Sequence, residues 1–200
     1  MTIERMSKAE KTRLYIIERT APVFNRKGYA GTSVSDLTEA TGLTKGSIYG
    51  NFENKDEVAL AAFEYNLGKV NGVISAAMAR KRTAAGKLSA YAEVYSQFPL
   101  HTFPEGGCPI LNTAVEADDT HPLLREKVLS SLLSWKSLLQ SIIKDGIRNG
   151  EFRKDANAEE AALGIIALIE GAMMITKLTG RNRYWKLIMS SVKKIIDELK

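Results

Sequence analysis

The chain has 200 residues, of which 44% are hydrophobic and 26% are charged, and its formal net charge is +5. These values are typical of a soluble globular protein with one or two domains. No apolar run approaches the roughly 20 residues of a membrane span, and the N-terminus lacks the apolar core of a signal peptide. The single cysteine, Cys108, excludes a disulfide framework and a multi-cysteine metal site. We therefore expect a cytoplasmic protein with no membrane partner.

Helical periodicity continues along the whole chain, and no segment alternates as a strand would. The first predicted helix covers residues 8–27, a short one follows Ser33 and ends at Gly42, and a very short one lies within residues 43–52. The longer predicted helices cover about residues 54–82, 86–98, 109–117, 122–149, 158–179 and 182–199. The sequence thus predicts an all-α fold of about nine helices.

Helix starts are marked by a small polar residue followed three positions later by Glu, the spacing of a capping box. This pattern occurs at Ser7, Asn54 and Asn157. Gly28 is predicted to end the first helix as a left-handed cap, and the second helix is predicted to end at Gly42. We predict two domains, a three-helix head of residues 1–53 and a longer, more hydrophobic body of residues 54–200.

The two short helices joined at Gly42 form the pattern of a helix-turn-helix. The second, LTKGSIYGNF at residues 43–52, is a poor helix, because each of its two glycines costs roughly 1 kcal/mol relative to Ala. Four apolar residues are predicted to anchor it to the head: Leu37, Leu43, Ile48 and Phe52. Its other residues would face outward and are suited to DNA phosphates and base edges. They are Thr44, Lys45, Gly46, Ser47, Tyr49, Gly50 and Asn51.

These residues resemble the DNA-binding head of TetR-family transcriptional regulators. The resemblance spans about residues 8–60 and is carried by GYAGTSVSDL from residue 28, ATGLTKGSIY from residue 40 and FENKDE from residue 52. It implies a homodimer whose heads read successive major grooves of a palindromic operator, and a body that binds a small effector and then releases the DNA. It also implies DNA contacts from Thr32, Ser33 and Lys55.

Two positions depart from the family pattern. Many relatives have an aromatic residue in place of Gly50 and a histidine in place of Asn51. The operator sequence therefore cannot be transferred from relatives.

The body contains aromatic and polar residues that could line the implied effector pocket. These candidates are Tyr91, Tyr95, Phe98, His101, Phe103, Cys108, Asn112, Glu116 and Trp135. Aromatic residues at helical spacing are also typical of a protein core, so both interpretations are open. His101 and His121 are too few and too far apart to predict a metal site, and we predict no metal and no cofactor.

Cys108 has two interpretations. It precedes Pro109 at a predicted helix start, where the helix dipole favours a thiolate. The segment GGCPILNTAVE, from residue 106, is similar to one in TetR-type repressors that sense electrophiles or oxidants through this cysteine. The alternative is a small buried hydrophobic residue.

The last two helices are the predicted dimer interface, because two such helices from each subunit can form a four-helix bundle. The predicted interface residues are Ile165, Ile169, Met173, Trp185, Ile188, Val192 and Ile195. The alternative is that these residues form the core of a monomer.

Several functions fit a helical chain of this kind. It contains no nucleophile paired with a base, no carboxylate pair at a defined spacing and no phosphate loop, so we predict that it is not an enzyme. A small-molecule-binding protein with a vestigial head and a nucleoid-type DNA binder without an effector are the alternatives. We predict a ligand-responsive, homodimeric regulator that acts as a repressor, with activation left open.

Overall fold

The structure, a computed structural model, describes residues 6–96 and 104–200 of the chain. Within these residues every regular element is a helix, and there are nine. They are α1 (Lys8–Lys27), α2 (Val34–Thr41), α3 (Lys45–Tyr49), α4 (Lys55–Ala79), α5 (Ala84–Ser96), α6 (Pro109–Ala117), α7 (Pro122–Arg148), α8 (Ala158–Thr179) and α9 (Asn182–Glu198). The predicted all-α fold is confirmed.

The three predicted helix caps are present. Ser7 and Glu10 form a reciprocal capping box at the start of α1. The Asn54 side chain accepts the backbone N–H of Glu57 at 2.9 Å, and that of Asn157 accepts two backbone N–H groups at the start of α8. Each cap satisfies donors that the helix itself leaves without a partner.

The start of α5 differs from its prediction. The helix begins at Ala84 rather than at Gly86, because groups outside the helix satisfy its first backbone donors. The Thr83 hydroxyl accepts the Gly86 N–H at 3.0 Å, and the Glu151 carboxylate accepts the Ala84 N–H at 2.7 Å. The acceptor on Glu151 is distant in the sequence, so the local pattern could not indicate this helix start.

The chain divides into two compact units. The first contains the described residues of Met1–Lys69 together with Pro104–Val128, and the second contains those of Val70–Phe103 together with Leu129–Lys200. Packing therefore groups α6 and the first part of α4 with the three head helices. The boundary between residues 53 and 54, which we predicted from function, stays a prediction.

The first unit has an apolar core that joins α1, α2, α3 and the start of α4. Its buried residues are Ile16, Ala21, Phe24, Leu37, Ile48, Phe52, Val58, Ala59 and Ala62. Leu43 packs against this core and is partly buried. Three of the four predicted anchors of the helix-turn-helix are thus fully inside the head, and the fourth lies at its edge.

The second unit is built around buried aliphatic and aromatic side chains of α5, α7, α8 and α9. Lys136 on α7 forms an ion pair with Glu159 on α8 at 2.7 Å. The backbone N–H of Arg153 donates to the carbonyl of Leu199 at 2.8 Å, which fixes the end of α9 against the α7–α8 connection. The first contact thus joins α7 to α8, and the second joins their connection to the end of α9.

Helix α8 is long and apolar enough to cross a membrane by length and composition. Helices in the core of soluble proteins pass the same test, and 44% of the most apolar stretch of α8 is buried inside the chain.

Asp36 should make the head sensitive to acid. Lys27 donates to its carboxylate at 2.6 Å, and the backbone N–H of Ser33 donates at 2.8 Å. These hydrogen bonds lower the pKa of Asp36 from 3.8 to about 2. Because the folded-state pKa is depressed, the carboxylate stabilises the fold above about pH 4, and this contribution is lost as the pH falls towards 2.

We therefore expect Asp36→Asn to melt at a lower temperature than the parent at pH 7, and the difference to shrink between pH 4 and pH 2. Circular dichroism melts across this range measure it. Glu39→Gln, which removes an exposed carboxylate from the same helix, serves as the control and should keep the acid dependence of the parent. Parallel curves for Asp36→Asn and the parent would contradict the assignment.

Candidate nucleic-acid interface

Helix α3 is held by contacts at both of its ends. Thr44 caps its N-terminus, where the hydroxyl accepts the Ser47 N–H at 3.2 Å. Ile48, in the C-terminal half of the helix, is fully buried, and Phe52, just after the helix, is 2% exposed. Burial of these two side chains turns the opposite side of α3 towards solvent.

Arg13 on α1 also fixes α3, although it was not among the predicted functional residues. Its guanidinium donates to the Asn51 carbonyl, pairs with Glu57 at 2.6 Å and lies 4.0 Å from the centre of the Phe52 ring. One side chain therefore ties the residues after α3 to α1 and α4. No local pattern marks this role, because Asn51 and Glu57 are 38 and 44 residues away.

The predicted DNA-contacting residues of α3 lie mainly on its exposed side. Five are exposed, and Tyr49 and Asn51 are partly buried. The exposed five are Thr44, Lys45, Gly46, Ser47 and Gly50. The Thr44 and Ser47 hydroxyls bond each other at 3.0 Å, and the Asn51 amide donates to the Ser47 carbonyl at 2.9 Å. Lys45 is the only exposed cation of α3.

The two residues predicted to contact DNA before α2 have different environments. Ser33 is exposed and caps α2. Thr32 is fully buried, and its hydroxyl donates to the Gly28 carbonyl at 2.6 Å. This burial corrects the prediction for Thr32, because its side chain is enclosed within the α1–α2 turn and has no surface to offer DNA.

Lys55, at the first position of α4, lies against an aromatic ring. Its ammonium nitrogen is 4.2 Å from the centre of the Tyr29 ring, within the range of a cation–π contact. The Tyr29 hydroxyl donates to Asp56, and this hydrogen bond raises the pKa of Tyr29 to about 12. The proton that Tyr29 donates to Asp56 is therefore harder to remove than that of a free tyrosine.

Comparison with protein families covers both parts of the chain. Residues 16–62 match the family described as bacterial regulatory proteins, tetR family. Residues 84–192 match the family described as tetracyclin repressor-like, C-terminal domain. The second match covers more than half of the chain. The chain belongs to the TetR family.

Individual relatives agree with this assignment. A TetR-family regulator from Cytophaga hutchinsonii is 49% identical, with a TM-score of 0.94 and 98% of each chain covered. A TetR regulator from Chloroflexus aurantiacus is 36% identical, with a TM-score of 0.91 and 96% and 98% covered. The transcriptional repressor DhaR of Mycobacterium sp. (strain GP1) is 28% identical over 86% of this chain and 84% of its own.

Membership of this family confirms the prediction of a DNA-binding transcriptional regulator rather than an enzyme. Among the residues that the structure describes, no group of three or more His, Cys, Asp or Glu side chains is placed to hold a metal ion.

The described residues among those predicted for the effector site are divided between the two units. Tyr91, Tyr95 and Trp135 come together in the second unit, and all three are buried. The ring centres of Tyr91 and Tyr95 are 5.2 Å apart, and Trp135 lies 5.5 Å from Tyr95 and 6.0 Å from Tyr91. Phe98, His101 and Phe103 lie outside the described residues.

Three other predicted effector-site residues belong to the first unit. Cys108 is buried and occupies the N-cap position of α6. Its side chain makes no capping hydrogen bond to the helix. Asn112 donates to the Asn25 carbonyl at 2.9 Å. Glu116 accepts the backbone N–H groups of Tyr29 and Ala30. In this structure Asn112 and Glu116 are therefore bound to the end of α1, in a different unit from the aromatic cluster.

The predicted dimer residues are mostly buried inside their own subunit. Five of them are almost inaccessible, which corrects the prediction that they form the interface surface. These five are Ile165, Ile169, Met173, Trp185 and Val192. Ile188 and Ile195 are partly buried. Ile195 lies against α8, because its Cδ1 atom would be 3.2 Å from a Cβ atom placed at Gly164.

Adding a side chain at Gly46, on the exposed side of α3, should have opposite effects on stability and on DNA binding. A Cβ atom at Gly46 would meet nothing closer than the Thr44 hydroxyl at 3.9 Å. Gly46→Ala should therefore stabilise the fold by up to about 1 kcal/mol. Where DNA approaches this face, the added methyl group should weaken operator binding roughly tenfold, a loss of about 1.4 kcal/mol.

Thermal melts and fluorescence anisotropy with a selected operator measure the two effects. Gly72→Ala on α4 is the matched control, because a Cβ atom there also meets nothing within 4 Å. It should raise stability and leave the affinity unchanged. Equal operator affinities for the two variants would show that α3 does not approach DNA at Gly46.

Proposed function

We propose that the protein is a homodimeric repressor that binds a palindromic operator through residues 44–51 and is released from it by a small effector. The division of α3 into two faces carries this proposal. Ile48 holds one face in the core, while Lys45 and Gly46 stand exposed on the other. A short helix that presents a cation and bare backbone is suited to the major groove of DNA.

The proposed DNA surface joins α3 to its two neighbours. Lys45 and Lys55 supply positive charge for phosphates, and Ser33 and Thr44 supply hydroxyls beside helix N-termini. Tyr49 and Asn51 supply groups that can reach base edges or phosphates. Gly46 and Gly50 let the backbone come close to the DNA.

Lys45 provides a test of this surface. We expect Lys45→Ala to weaken binding to a selected operator and to random DNA alike, because a phosphate contact carries no sequence information. The slope of log K against log salt should fall by about 0.9 for each head. Fluorescence anisotropy titrations measure the affinities and the slope. They are run between about 50 and 200 mM NaCl, where the affinity of DNA-binding proteins depends strongly on salt.

Lys154→Ala is the control, since Lys154 is an exposed lysine outside the proposed surface and its removal changes the net charge equally. It should keep the slope of the parent. An unchanged slope for Lys45→Ala would exclude this residue from the phosphate contacts.

The proposed dimer surface is the apolar stripe that the subunit leaves exposed on α8. Leu163, Ala167, Met174 and Leu178 are exposed and recur at helical spacing on one face. Leu178 is 85% exposed, which is costly for a leucine on a free surface. On α9, which packs against α8, Leu187 is also exposed.

We expect Met174→Lys to give a monomer, because a charge would be buried in the stripe without a partner. Met174 is 53% exposed within the subunit, so the helical circular dichroism signal should be kept. Size-exclusion chromatography with light scattering measures the mass. Operator affinity should fall with dimer loss, since one head binds only a half-site.

The matched control is Leu133→Lys on α7, where the parent leucine is 47% exposed. This variant should remain a dimer. If Met174→Lys also remains a dimer, the α8 stripe is not the interface.

The proposed effector site is the part of the second unit around Tyr91, Tyr95 and Trp135. Three packed aromatic rings offer an apolar environment with two hydroxyls and an indole N–H, the kind of lining that small-molecule sites use. Repression is proposed because DhaR, which matches most of this chain, is a repressor. We place the protein in the cytoplasm, where it can reach its operator.

A further inference from the structure

Glu116 on α6 binds the backbone of the turn between α1 and α2. One carboxylate oxygen accepts the Tyr29 N–H at 2.7 Å, and the other accepts the Ala30 N–H, also at 2.7 Å. Hydrogen bonds from an amide to an ionised group are stronger than those between neutral groups. Glu116 thus fixes two successive peptide groups just after the end of α1.

The turn is shaped to receive this carboxylate. Gly28 has φ +73°, and a Cβ atom there would lie 2.4 Å from one Glu116 oxygen. Any other residue at position 28 would push the carboxylate away. One helical turn earlier, Asn112 on α6 donates to the Asn25 carbonyl on α1 at 2.9 Å. Side chains from two successive turns of α6 therefore hold the end of α1.

Tyr29, whose backbone Glu116 holds, also supports Lys55. The Tyr29 ring lies beneath the Lys55 ammonium, and its hydroxyl is bonded to Asp56. His121 meets the same ring edge-on, with 4.3 Å between the ring centres. Its Nε2 atom is 3.5 Å from the Asp56 carboxylate. The Tyr29 ring is thus fixed on its backbone side by α6 and on its hydroxyl side by Asp56.

We propose that Glu116 is a positioning residue for DNA binding, which holds the Tyr29 ring in place so that Lys55 presents its ammonium group to an operator phosphate. This inference rests on the proposed phosphate contact of Lys55. We assign Glu116 no direct contact with DNA in this role. Its carboxylate acts through the peptide group of Tyr29 and then through the ring on which Lys55 lies.

The test compares the parent with Glu116→Gln, Lys55→Ala and the double variant, each as the full chain. A glutamine has only one oxygen to accept with, and its NH2 group would face one of the two peptide donors. Binding to the selected operator is measured by anisotropy over a range of NaCl concentrations. Lys55→Ala should reduce the salt slope by about 0.9 for each head.

Glu116→Gln should reduce the slope by a similar amount and weaken operator binding several-fold. The double variant should bind no more weakly than Lys55→Ala alone, because both changes remove the same contact. Asp119→Asn, which removes an exposed carboxylate shortly after α6, is the charge control. It should bind as well as the parent, since losing a negative charge does not by itself weaken binding to DNA.

Tyr29→Leu keeps an apolar side chain against the head core, where Tyr29 packs, and removes the ring under Lys55. It should reproduce the slope of Glu116→Gln, and it replaces that variant if the glutamine form does not fold. An unchanged slope in both variants would overturn the inference, as would a loss of affinity that adds fully to that of Lys55→Ala.

Failure of the underlying proposal gives a different result. If Lys55→Ala alone leaves the slope unchanged, Lys55 makes no phosphate contact, and the inference falls with it. If Lys55→Ala reduces the slope and Glu116→Gln does not, the phosphate contact stands and only the positioning role of Glu116 is excluded.

Discussion

A helix of five residues such as α3 has almost no stability of its own, because its nucleation fixes several dihedral angles for very few hydrogen bonds. It forms here because Ile48 and Phe52 are buried in the head core and Arg13 binds the residues that follow it. This external support explains why Gly46 and Gly50 are tolerated. Because the core stabilises α3, its outward residues do not need a high helix propensity and can be residues suited to binding DNA.

The helix caps could be predicted from the sequence, because each depends on residues that lie close together in the chain. The caps at Ser7, Asn54 and Asn157 act within four residues, so their spacing alone predicts where α1, α4 and α8 begin. Thr32 and Ser33 show where such signals stop being sufficient. Both are small hydroxyl residues before a helix, and only the three-dimensional turn decides that Ser33 faces solvent while Thr32 bonds to Gly28.

The two faces of α8 could not be distinguished from the sequence, because the helix is apolar nearly all round and shows no strong contrast between its sides. Three residues of this helix that were predicted for the interface, Ile165, Ile169 and Met173, are buried within the chain. Three other large apolar residues of the same helix, Leu163, Met174 and Leu178, stand exposed. An apolar helix of this kind can have one side in the core and the other on the surface. Only the packing of the folded chain shows on which side each residue lies.

Contacts between distant residues were beyond sequence reasoning, and Glu116 is the clearest case. It lies 87 residues from Tyr29, within a segment that the sequence associates with the body. Its contact with the α1–α2 turn has a consequence for exchanging parts between regulators. A head cut at residue 53 and joined to a foreign body would leave the Tyr29 and Ala30 amides without their acceptor. A functional chimera should therefore carry α6 along with the head, so the exchangeable module is discontinuous in the sequence.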